Sequence, residues 1–471
     1  MAKKITIIGA GPGGYVAALR AAQLGAEVTV IEQDKVGGTC LNQGCIPSKV
    51  MKASADILEK FRSAKTFGIC ADQNASLDME GLMARKQSVI QAQAKGIHAL
   101  FKKQKIRYLQ GQGRIRGLNM AEVTQADGQH TEVSWDNLIL AMGSRPLEIH
   151  SFPFDGERIL SSNHALSLQA IPEFLLIVGG GVIGCEFAFI FSAFGAKVTV
   201  VEALPRILPL PSVDADCSKA IQREMKKRKI SFMVGTTVDN AEIRDGKILA
   251  TLRPLGDKPT PPMPLETDTM LVCIGREPNT DNMGLENIGI TLDDKGWIIA
   301  DDHMESNAPG VYAIGDVLGP SRVMLAHVAS AEGMVAAENA MGQQREMRYD
   351  AIPGGIFTMP EVANVGLTEE QAREAGYSAR GDSVLFRALG KAHVIGEIAG
   401  QAKIVSHAET GKILGVHIVG PHATDLIAEG TLAIQTGATV RDLTETIHAH
   451  PTLAEIMAEA AFKAADQSLH G

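Results

Sequence analysis

The sequence predicts an α/β protein in which two similar strand–helix–strand units are followed by a separate α+β region. In both units an apolar strand runs into a glycine-rich turn, an apolar helix and a second strand. The predicted strands and helices of the two units are, in chain order, 5–8, 12–24, 27–31, 174–178, 182–194 and 197–201. Beyond about residue 345 the pattern changes to strands near Val384 and Ile413 and helices from about Thr424 and Leu453. A chain of 471 residues has room for roughly three domains.

The turn of the first unit has the glycine spacing G-x-G-x-x-G. The matching glycines are Gly9, Gly11 and Gly14, and Glu32 follows Gly9 by 23 residues, at the end of the next strand. In a dinucleotide site the first glycine makes the turn, the second lets the backbone approach a pyrophosphate, and the third allows close helix packing. The helix N-terminus stabilises the anion and the acid accepts a ribose hydroxyl. The first unit is therefore predicted to bind a dinucleotide.

The second unit repeats this pattern in Gly179, Gly181 and Gly184, with Glu202 again 23 residues after the first glycine. A single match is weak evidence, because glycines also serve simply to pack a strand against a helix. Two matches with the same spacing to an acid, both in strand–helix–strand context, favour two Rossmann-like dinucleotide-binding domains.

Two apolar strands that end at a Gly and Pro break mark the predicted crossings between domains. The first lies at 139–146 and contains Gly143, and the second lies at 270–278 and contains Gly275. The predicted domains are a discontinuous first domain, a second domain inserted into it and a C-terminal α+β domain: 1–145 with 276–345, 146–275, and 346–471.

Composition narrows the functional classes. A net charge of −9 argues against a nucleic-acid-binding surface. No apolar run approaches the roughly 18 residues that a membrane span needs, so we expect no membrane partner and a cytoplasmic location, or a mature form that lacks a presequence.

Cys40 and Cys45 are the only two of the six cysteines that lie close together in sequence. A loop this short contributes only about 2 kcal/mol in the loop-entropy model, so the pair would stabilise the fold poorly. Pro47 suits the first turn of a helix, which would place Cys45 near the positive helix end and favour its thiolate. A redox pair is the preferred interpretation. A buried unreactive pair and a metal site are the alternatives, although no second Cys or His pair has zinc-ligand spacing.

From end to end the sequence resembles the pyridine nucleotide–disulfide oxidoreductase family, which includes glutathione reductase, mercuric reductase and dihydrolipoamide dehydrogenase. The resemblance rests on both glycine turns, on the cysteine segment 37–49 and on the stretches 313–316, 325–327 and 450–455. The cysteine segment looks most like that of dihydrolipoamide dehydrogenase. The resemblance implies FAD in the first domain, NAD in the second and a C-terminal dimerisation domain.

The resemblance also implies roles for individual residues. Asp316 should contact the ribityl chain of the flavin, the backbone at Ala326 and His327 should approach its ring, and Lys49 should pair with Glu186 beside its reactive nitrogen. Taken alone, these residues also fit a helix cap, a core histidine and an ordinary ion pair. The residues expected to bind the cofactors are Gly9, Gly11, Gly14, Glu32, Lys49, Gly143, Asp316, Ala326, Gly179, Gly181, Gly184, Glu202 and Gly275.

The implied reaction is the oxidation of protein-bound dihydrolipoamide to lipoamide by NAD, through a Cys40–Cys45 disulfide and FAD. The enzyme would serve 2-oxo acid dehydrogenase or glycine cleavage complexes, so its partners would be lipoyl-bearing protein domains. The resemblance further implies a homodimer in which His450, oriented by Glu455, acts as a base at the partner subunit's disulfide. The alternative for His450 is a cap on the helix that begins near Leu453.

Nucleotide choice rests on Glu202, whose charge disfavours the 2′-phosphate of NADP. Arg206 is the one arginine nearby, whereas NADP-dependent relatives use several. Two other functions stay open at this stage. One is a disulfide or quinone reductase with another substrate, and the other is a flavoprotein that only binds or regulates. Retention of the cysteine pair with His450 and Glu455 argues against the second.

Overall fold

The computed structural model describes residues 2–70, 75–256 and 260–470. The strands within these ranges are β1 (Lys4–Ile8), β2 (Glu27–Glu32), β3 (Arg107–Gln110), β4 (Gln112–Gly117), β5 (Met120–Thr124), β6 (His130–Ser134), β7 (Asn137–Leu140), β8 (Ser144–Pro146), β9 (Ile159–Leu160), β10 (Phe174–Val178), β11 (Lys197–Glu202), β12 (Ser231–Val234), β13 (Thr236–Arg244), β14 (Lys247–Pro254), β15 (Met263–Thr267), β16 (Thr269–Val272), β17 (Arg276–Pro278), β18 (Val311–Ala313), β19 (Gly354–Ile356), β20 (Glu361–Gly366), β21 (Ala379–Leu385), β22 (Gln401–His407) and β23 (Ile413–Gly420).

The α-helices in the same ranges are α1 (Pro12–Gln23), α2 (Gly38–Gln43), α3 (Cys45–Ser63), α4 (Met79–Lys103), α5 (Ser162–Ala165), α6 (Val182–Phe194), α7 (Ala215–Lys227), α8 (Ala326–Ala340), α9 (Glu369–Glu374), α10 (Gly390–Ile395), α11 (Ala423–Thr436), α12 (Val440–Glu445) and α13 (Glu455–Ala464).

Two five-stranded parallel sheets follow the same plan, with strand orders β18-β7-β1-β2-β3 and β12-β11-β10-β16-β9. The central strand of each, β1 or β10, is the strand that enters a glycine turn. The strand that follows the next helix lies on one side, and the strand that leads to a domain crossing lies on the other. The predicted α/β class and both strand–helix–strand units are therefore confirmed.

The two crossings differ from the expectation of one strand ending at a break. β7 ends at Leu140 and β16 ends at Val272, and each chain segment then forms a further short strand. These two, β8 and β17, pair antiparallel, with Arg276 opposite Pro146. Gly143 (φ +69°) and Gly275 (φ +153°) turn the chain between the strands with left-handed backbone that other residues rarely adopt.

The C-terminal sheet is antiparallel and has the order β19-β20-β23-β22-β21. The predicted strands near residues 384 and 413 are β21 and β23, and the predicted helices are α11 and α13. Helix α11 packs on β20 and β23, and α13 packs on β21 and β22. We propose that the domain boundaries lie at 145/146, 275/276 and 345/346, which this arrangement of sheets supports.

Helices α1 and α8 pack closely because two glycines meet at their contact. A Cβ added to Gly333 would lie 2.5 Å from the carbonyl oxygen of Gly13. This contact fixes the N-terminus of α8 beside the first glycine turn. In the described ranges, no helix is both long enough and apolar enough to span a bilayer.

Candidate active site

The first glycine turn is shaped by three glycines with different surroundings. A Cβ on Gly9, whose φ is +104°, would strike the carbonyl oxygen of Ala141, and a Cβ on Gly14 would strike the carbonyl oxygen of Gly9. A Cβ on Gly11 would reach only the Cα of Gly38, at 4.0 Å. The outer glycines therefore allow tight packing, while the middle one leaves space in which a pyrophosphate fits against the backbone.

The second turn repeats this geometry. A Cβ on Gly179 (φ +106°) would strike the carbonyl oxygen of Cys273, and a Cβ on Gly184 would strike that of Gly179. A Cβ on Gly181 would meet nothing within 4 Å. Both turns thus have the form that the sequence predicts for a nucleotide site.

The two acids also occupy equivalent positions. Glu32 accepts hydrogen bonds from the backbone N–H groups of Ala10 (2.7 Å) and Asp34 (2.8 Å), and burial raises its pKa. Glu202 accepts from the N–H groups of Gly180 (2.7 Å) and Leu204 (2.8 Å). Each carboxylate is therefore fixed beside its turn, with lone pairs left to accept a ribose hydroxyl.

A cavity of about 1930 Å³ joins the first turn, the cysteine segment and the start of α8. The predicted site residues that line it are Gly9, Gly11, Gly14, Glu32, Cys40, Cys45, Lys49, Gly143, Glu186, Asp316 and Ala326. The predicted residues outside its lining are Gly179, Gly181, Gly184, Glu202, Gly275, His450 and Glu455. The cavity therefore combines the proposed flavin site with the cysteine pair, and it reaches Val182 and Ile183 of the second glycine turn but not the three glycines of that turn.

The cysteine pair lies at the start of a helix. Cys40 is in α2, and Cys45 is the first residue of α3, with Pro47 in its first turn. A hydrogen bond from Cys40 lowers the pKa of Cys45, the charge of Lys49 lowers it further, and burial opposes both. The same bond, followed by burial, raises the pKa of Cys40. In the reduced pair, therefore, Cys45 is the cysteine that loses its proton first.

Lys49 and Glu186 form the ion pair that the resemblance implies. The Nζ of Lys49 lies 3.0 and 2.8 Å from the two carboxylate oxygens of Glu186, which is buried. Phe357 holds both residues: its N–H donates to Glu186 at 2.9 Å, and its ring centroid lies 4.2 Å from the Nζ of Lys49. Because both residues line the cavity, this is not an ordinary surface pair.

Asp316 lies in a short 3₁₀ segment, and its side chain faces other side chains rather than capping a helix. It accepts a hydrogen bond from the hydroxyl of Ser144 at 2.8 Å. The Nε of Arg276 donates to the same hydroxyl at 2.7 Å and lies 3.6 Å from the carboxylate of Asp316. Burial lowers the pKa of Arg276. The crossing strands β8 and β17 thus orient this acid.

Helix α8 begins at Ala326, so its N-terminal N–H groups face the cavity. The imidazole of His327 contacts the carbonyl oxygen of Pro353 at 2.9 Å. Its side chain is therefore engaged by the protein, which leaves its backbone for the proposed contact with the flavin.

His450 and Glu455 contact each other as predicted, with His450 Nδ1 2.8 Å from the carboxylate. Burial raises the pKa of Glu455, but the bonds from His450 and from the N–H of Thr452 outweigh it, and the pKa is lowered. The His450 side chain is 76% exposed and lies outside the cavity of its own chain. Glu455 is the first residue of α13, and Ala454, not His450, occupies its N-cap.

Arg206 is committed to its own loop. Its guanidinium donates to the carbonyl oxygens of Leu210 (3.0 Å) and Val213 (2.9 Å). It therefore holds the segment 210–213, which lines the cavity.

The sequence alone did not single out the residues that orient the predicted site side chains. Ser144 and Arg276 lay within the two crossing stretches, where their polarity beside a break was a usable signal. Phe357 gave no local signal, because its contacts join segments far apart in the chain. No group of three or more His, Cys, Asp or Glu side chains in the described ranges is arranged to hold a metal ion.

Comparisons with known proteins agree with this geometry. Residues 3–333 match the family model for pyridine nucleotide-disulphide oxidoreductases, and residues 352–461 match the dimerisation domain of that family. A dihydrolipoyl dehydrogenase from Chlamydia muridarum is 42% identical over 98% of this chain and 97% of its own length. The dihydrolipoyl dehydrogenase of Geobacillus stearothermophilus is 39% identical over 98% of this chain and 96% of its own length.

Among solved structures, LpdA from Mycobacterium tuberculosis superposes with a TM-score of 0.90 at 30% identity and covers 98% of this chain and 99% of its own. The flavoprotein disulfide reductase RclA from Escherichia coli has a TM-score of 0.85 at 24% identity, over 98% and 99% of the two chains, which shows the fold alone. The chain belongs to the pyridine nucleotide-disulphide oxidoreductase family.

Proposed function

We propose that the chain is a dihydrolipoyl dehydrogenase, which oxidises protein-bound dihydrolipoamide to lipoamide and reduces NAD. FAD and NAD are the cofactors of this family. The observation that carries the proposal is the placement of Cys45 at the start of α3, where Cys40 and Lys49 stabilise its thiolate inside the cavity of the first glycine turn.

The residues present fit both cofactors. For FAD, the open space at Gly11 suits the pyrophosphate, Glu32 the adenosine ribose and Asp316 the ribityl chain. For NAD, the open space at Gly181 suits the pyrophosphate, and the fixed carboxylate of Glu202 suits the adenosine ribose. Bound FAD supplies the two-electron step between the dithiol and NAD, and the remaining chemistry belongs to the side chains.

The cysteines perform a thiol–disulfide exchange. In the oxidised enzyme a substrate thiolate attacks the sulfur of Cys40, the Cys40–Cys45 bond breaks, and Cys45 leaves as a thiolate. The second substrate thiolate then attacks the substrate sulfur bound to Cys40. This closes the lipoamide disulfide and releases Cys40 as a thiolate, which takes a proton. The substrate loses two electrons and the cysteine pair gains them.

The thiolate of Cys45 is the product of the first step, so the groups that stabilise it lower the barrier to its departure. Lys49 supplies the nearest positive charge, and Glu186 fixes the position of that charge through its two contacts. The N–H groups at the start of α3 add the helix dipole. These groups position charge at the sulfur and need not transfer protons.

We propose that His450 is the base that receives the substrate protons, oriented by Glu455. Because it is exposed and lies outside the cavity of its own chain, it serves the cavity of the partner subunit. The protein is therefore a homodimer with two shared sites, joined through its C-terminal domain. The proposed partners are lipoyl-bearing domains of 2-oxo acid dehydrogenase or glycine cleavage complexes, and the proposed location is the cytoplasm.

The test is the rate of NADH formation by the purified protein with dihydrolipoamide, beside reduced glutathione as an alternative thiol and NADP as an alternative acceptor. We expect NADH formation with dihydrolipoamide and NAD only. A preference for glutathione, or for a quinone over lipoamide in the reverse direction, would replace the proposal with another disulfide or quinone reductase.

A further inference from the structure

Glu332 is a buried carboxylate on α8 that the mechanism above does not use. Its side chain is 1% exposed and lies behind the turn that presents Asp316, outside the lining of the cavity. One of its oxygens accepts the backbone N–H of Gly315 at 2.7 Å, and the other accepts the hydroxyl of Tyr349 at 2.7 Å. The carboxylate therefore joins two segments that are distant in sequence.

The Gly315 turn requires such support. Gly315 has φ +72°, and a Cβ there would lie 3.2 Å from the Cβ of Ala329, so the turn is pressed against α8. Its N–H points into the protein, where an unpaired donor destabilises the fold. Asp316 follows immediately, and Ser144 fixes only its side chain. Glu332 thus fixes the backbone immediately before this acid.

Tyr349, which donates a hydrogen bond to Glu332, is itself held in place by neighbouring side chains. Tyr349 lies in the segment that leads from α8 to the C-terminal sheet, and the guanidinium of Arg322 lies 4.9 Å from its ring centroid. Arg322 pairs in turn with Asp302 at 2.8 Å. The hydroxyl that binds Glu332 is therefore held in place.

The charge environment of Glu332 differs from that of Glu338, the other buried glutamate of α8. Glu338 pairs with Arg20 and Arg345, both at 2.7 Å, and these bonds lower its pKa although burial opposes them. Glu332 makes no ion pair within 4.0 Å in the described ranges, and burial raises its pKa. Glu332 therefore acts through the two hydrogen bonds that it accepts from Gly315 and Tyr349.

We propose that Glu332, assisted by Tyr349, is a positioning residue that holds the Gly315–Asp316 turn in the conformation that binds the flavin, and so determines how firmly FAD is retained. The proposal rests on the flavin site proposed above, at Asp316, and does not depend on the identity of the thiol substrate.

The test compares FAD release from purified holoenzymes, followed by the rise of flavin fluorescence in mild denaturant, with the melting temperature of each protein. Glu332→Met keeps the volume and removes both acceptors, so release should be at least about tenfold faster than in wild type. Glu332→Gln can accept from Gly315 and donate to Tyr349, so its release rate should stay within about threefold of wild type. Tyr349→Phe leaves one oxygen unpaired and should accelerate release by at least about fivefold.

Glu338→Met is the matched control, because it removes a buried glutamate from the same helix without touching the turn. It should lower the melting temperature but leave FAD release within about threefold of wild type. The proposal is overturned if Glu332→Met retains FAD like wild type, if Glu332→Gln releases it as fast as Glu332→Met, or if the control releases it equally fast.

If Glu332→Met does not fold, Tyr349→Phe decides the question, and release at the wild-type rate counts against the proposal. A wild-type protein without FAD would instead refute the proposed flavin site and the function built on it. The two failures are therefore distinguishable.

Discussion

A change of nucleotide from NAD to NADP tests the second glycine turn, because it adds a phosphate at the ribose 2′-oxygen, which we propose lies beside Glu202. This carboxylate is only 7% exposed, so solvent screens it weakly. Its two oxygens accept the N–H groups of Gly180 and Leu204. It cannot rotate away from a phosphate without leaving both donors unpaired.

The expected discrimination follows from this geometry. Two unit charges about 4 Å apart repel by about 4 kcal/mol at an effective dielectric constant near 20. If adjustment of the nucleotide removes half of that repulsion, about 2 kcal/mol remains, which corresponds to about thirtyfold. Arg206 is the one arginine nearby, and its Nη2 already donates to two carbonyl groups of its own loop. We therefore expect kcat/KM for NAD to exceed that for NADP by at least about thirtyfold.

The assay is steady-state kcat/KM with both nucleotides for wild type, for Glu202→Gln and for Glu224→Gln, which removes a buried carboxylate from α7 of the same domain. Glu202→Gln loses the charge and should lower the NAD/NADP ratio at least about fivefold. The control should leave the ratio unchanged. A wild-type preference for NADP, or a Glu202→Gln enzyme with the wild-type ratio, would refute the reasoning.

Three further predictions concern the reacting groups. Cys40→Ser and Cys45→Ser should each abolish dihydrolipoamide oxidation yet retain FAD, as measured by turnover and flavin absorbance, and appreciable turnover in either would contradict the exchange mechanism. The hydrogen bond from Cys40 lowers the pKa of Cys45 to about 7, against the opposing effect of burial. The thiolate of the reduced enzyme should thus appear as pH rises through about 7 and disappear as it falls, and a pH titration of long-wavelength absorbance that moves oppositely would refute this assignment. His450→Gln should slow dihydrolipoamide oxidation at least about a hundredfold while sparing NADH oxidation by an artificial acceptor. Mixed dimers of Cys45→Ser and His450→Gln subunits should regain part of the activity, and a fully active monomer would exclude a shared site.

Much of the fold was predictable because its signals are local. A glycine turn between an apolar strand and an apolar helix is fixed by residues within a few positions of one another, so α6 was predicted with its observed limits and α1 to within one residue. The pairing of β8 with β17 could not be predicted in this way. It joins segments about 130 residues apart, and each segment is extended because it pairs with the other.

The residues of the site also fall into two groups, those marked by local sequence patterns and those whose contacts form only on folding. The cysteines and the glycines belong to contiguous motifs, and their positions followed from spacing. The contacts of Lys49 with Glu186 and of His450 with Glu455 were implied by the family resemblance. Phe357, which orients Lys49 and Glu186, contacts them only after folding, and no pattern in the sequence marks those contacts.

The proposed chemistry can be observed directly by counting reactive thiols. The oxidised protein would be treated anaerobically with one equivalent of dihydrolipoamide, alkylated, and analysed by peptide mass spectrometry, with and without excess NAD. We predict that Cys40 and Cys45 are protected before reduction, become alkylated after it and regain protection with NAD. The buried Cys185 and Cys217 should stay unlabelled and the exposed Cys70 should be labelled throughout. Formation of NADH without any change in the labelling of Cys40 and Cys45 would contradict the account.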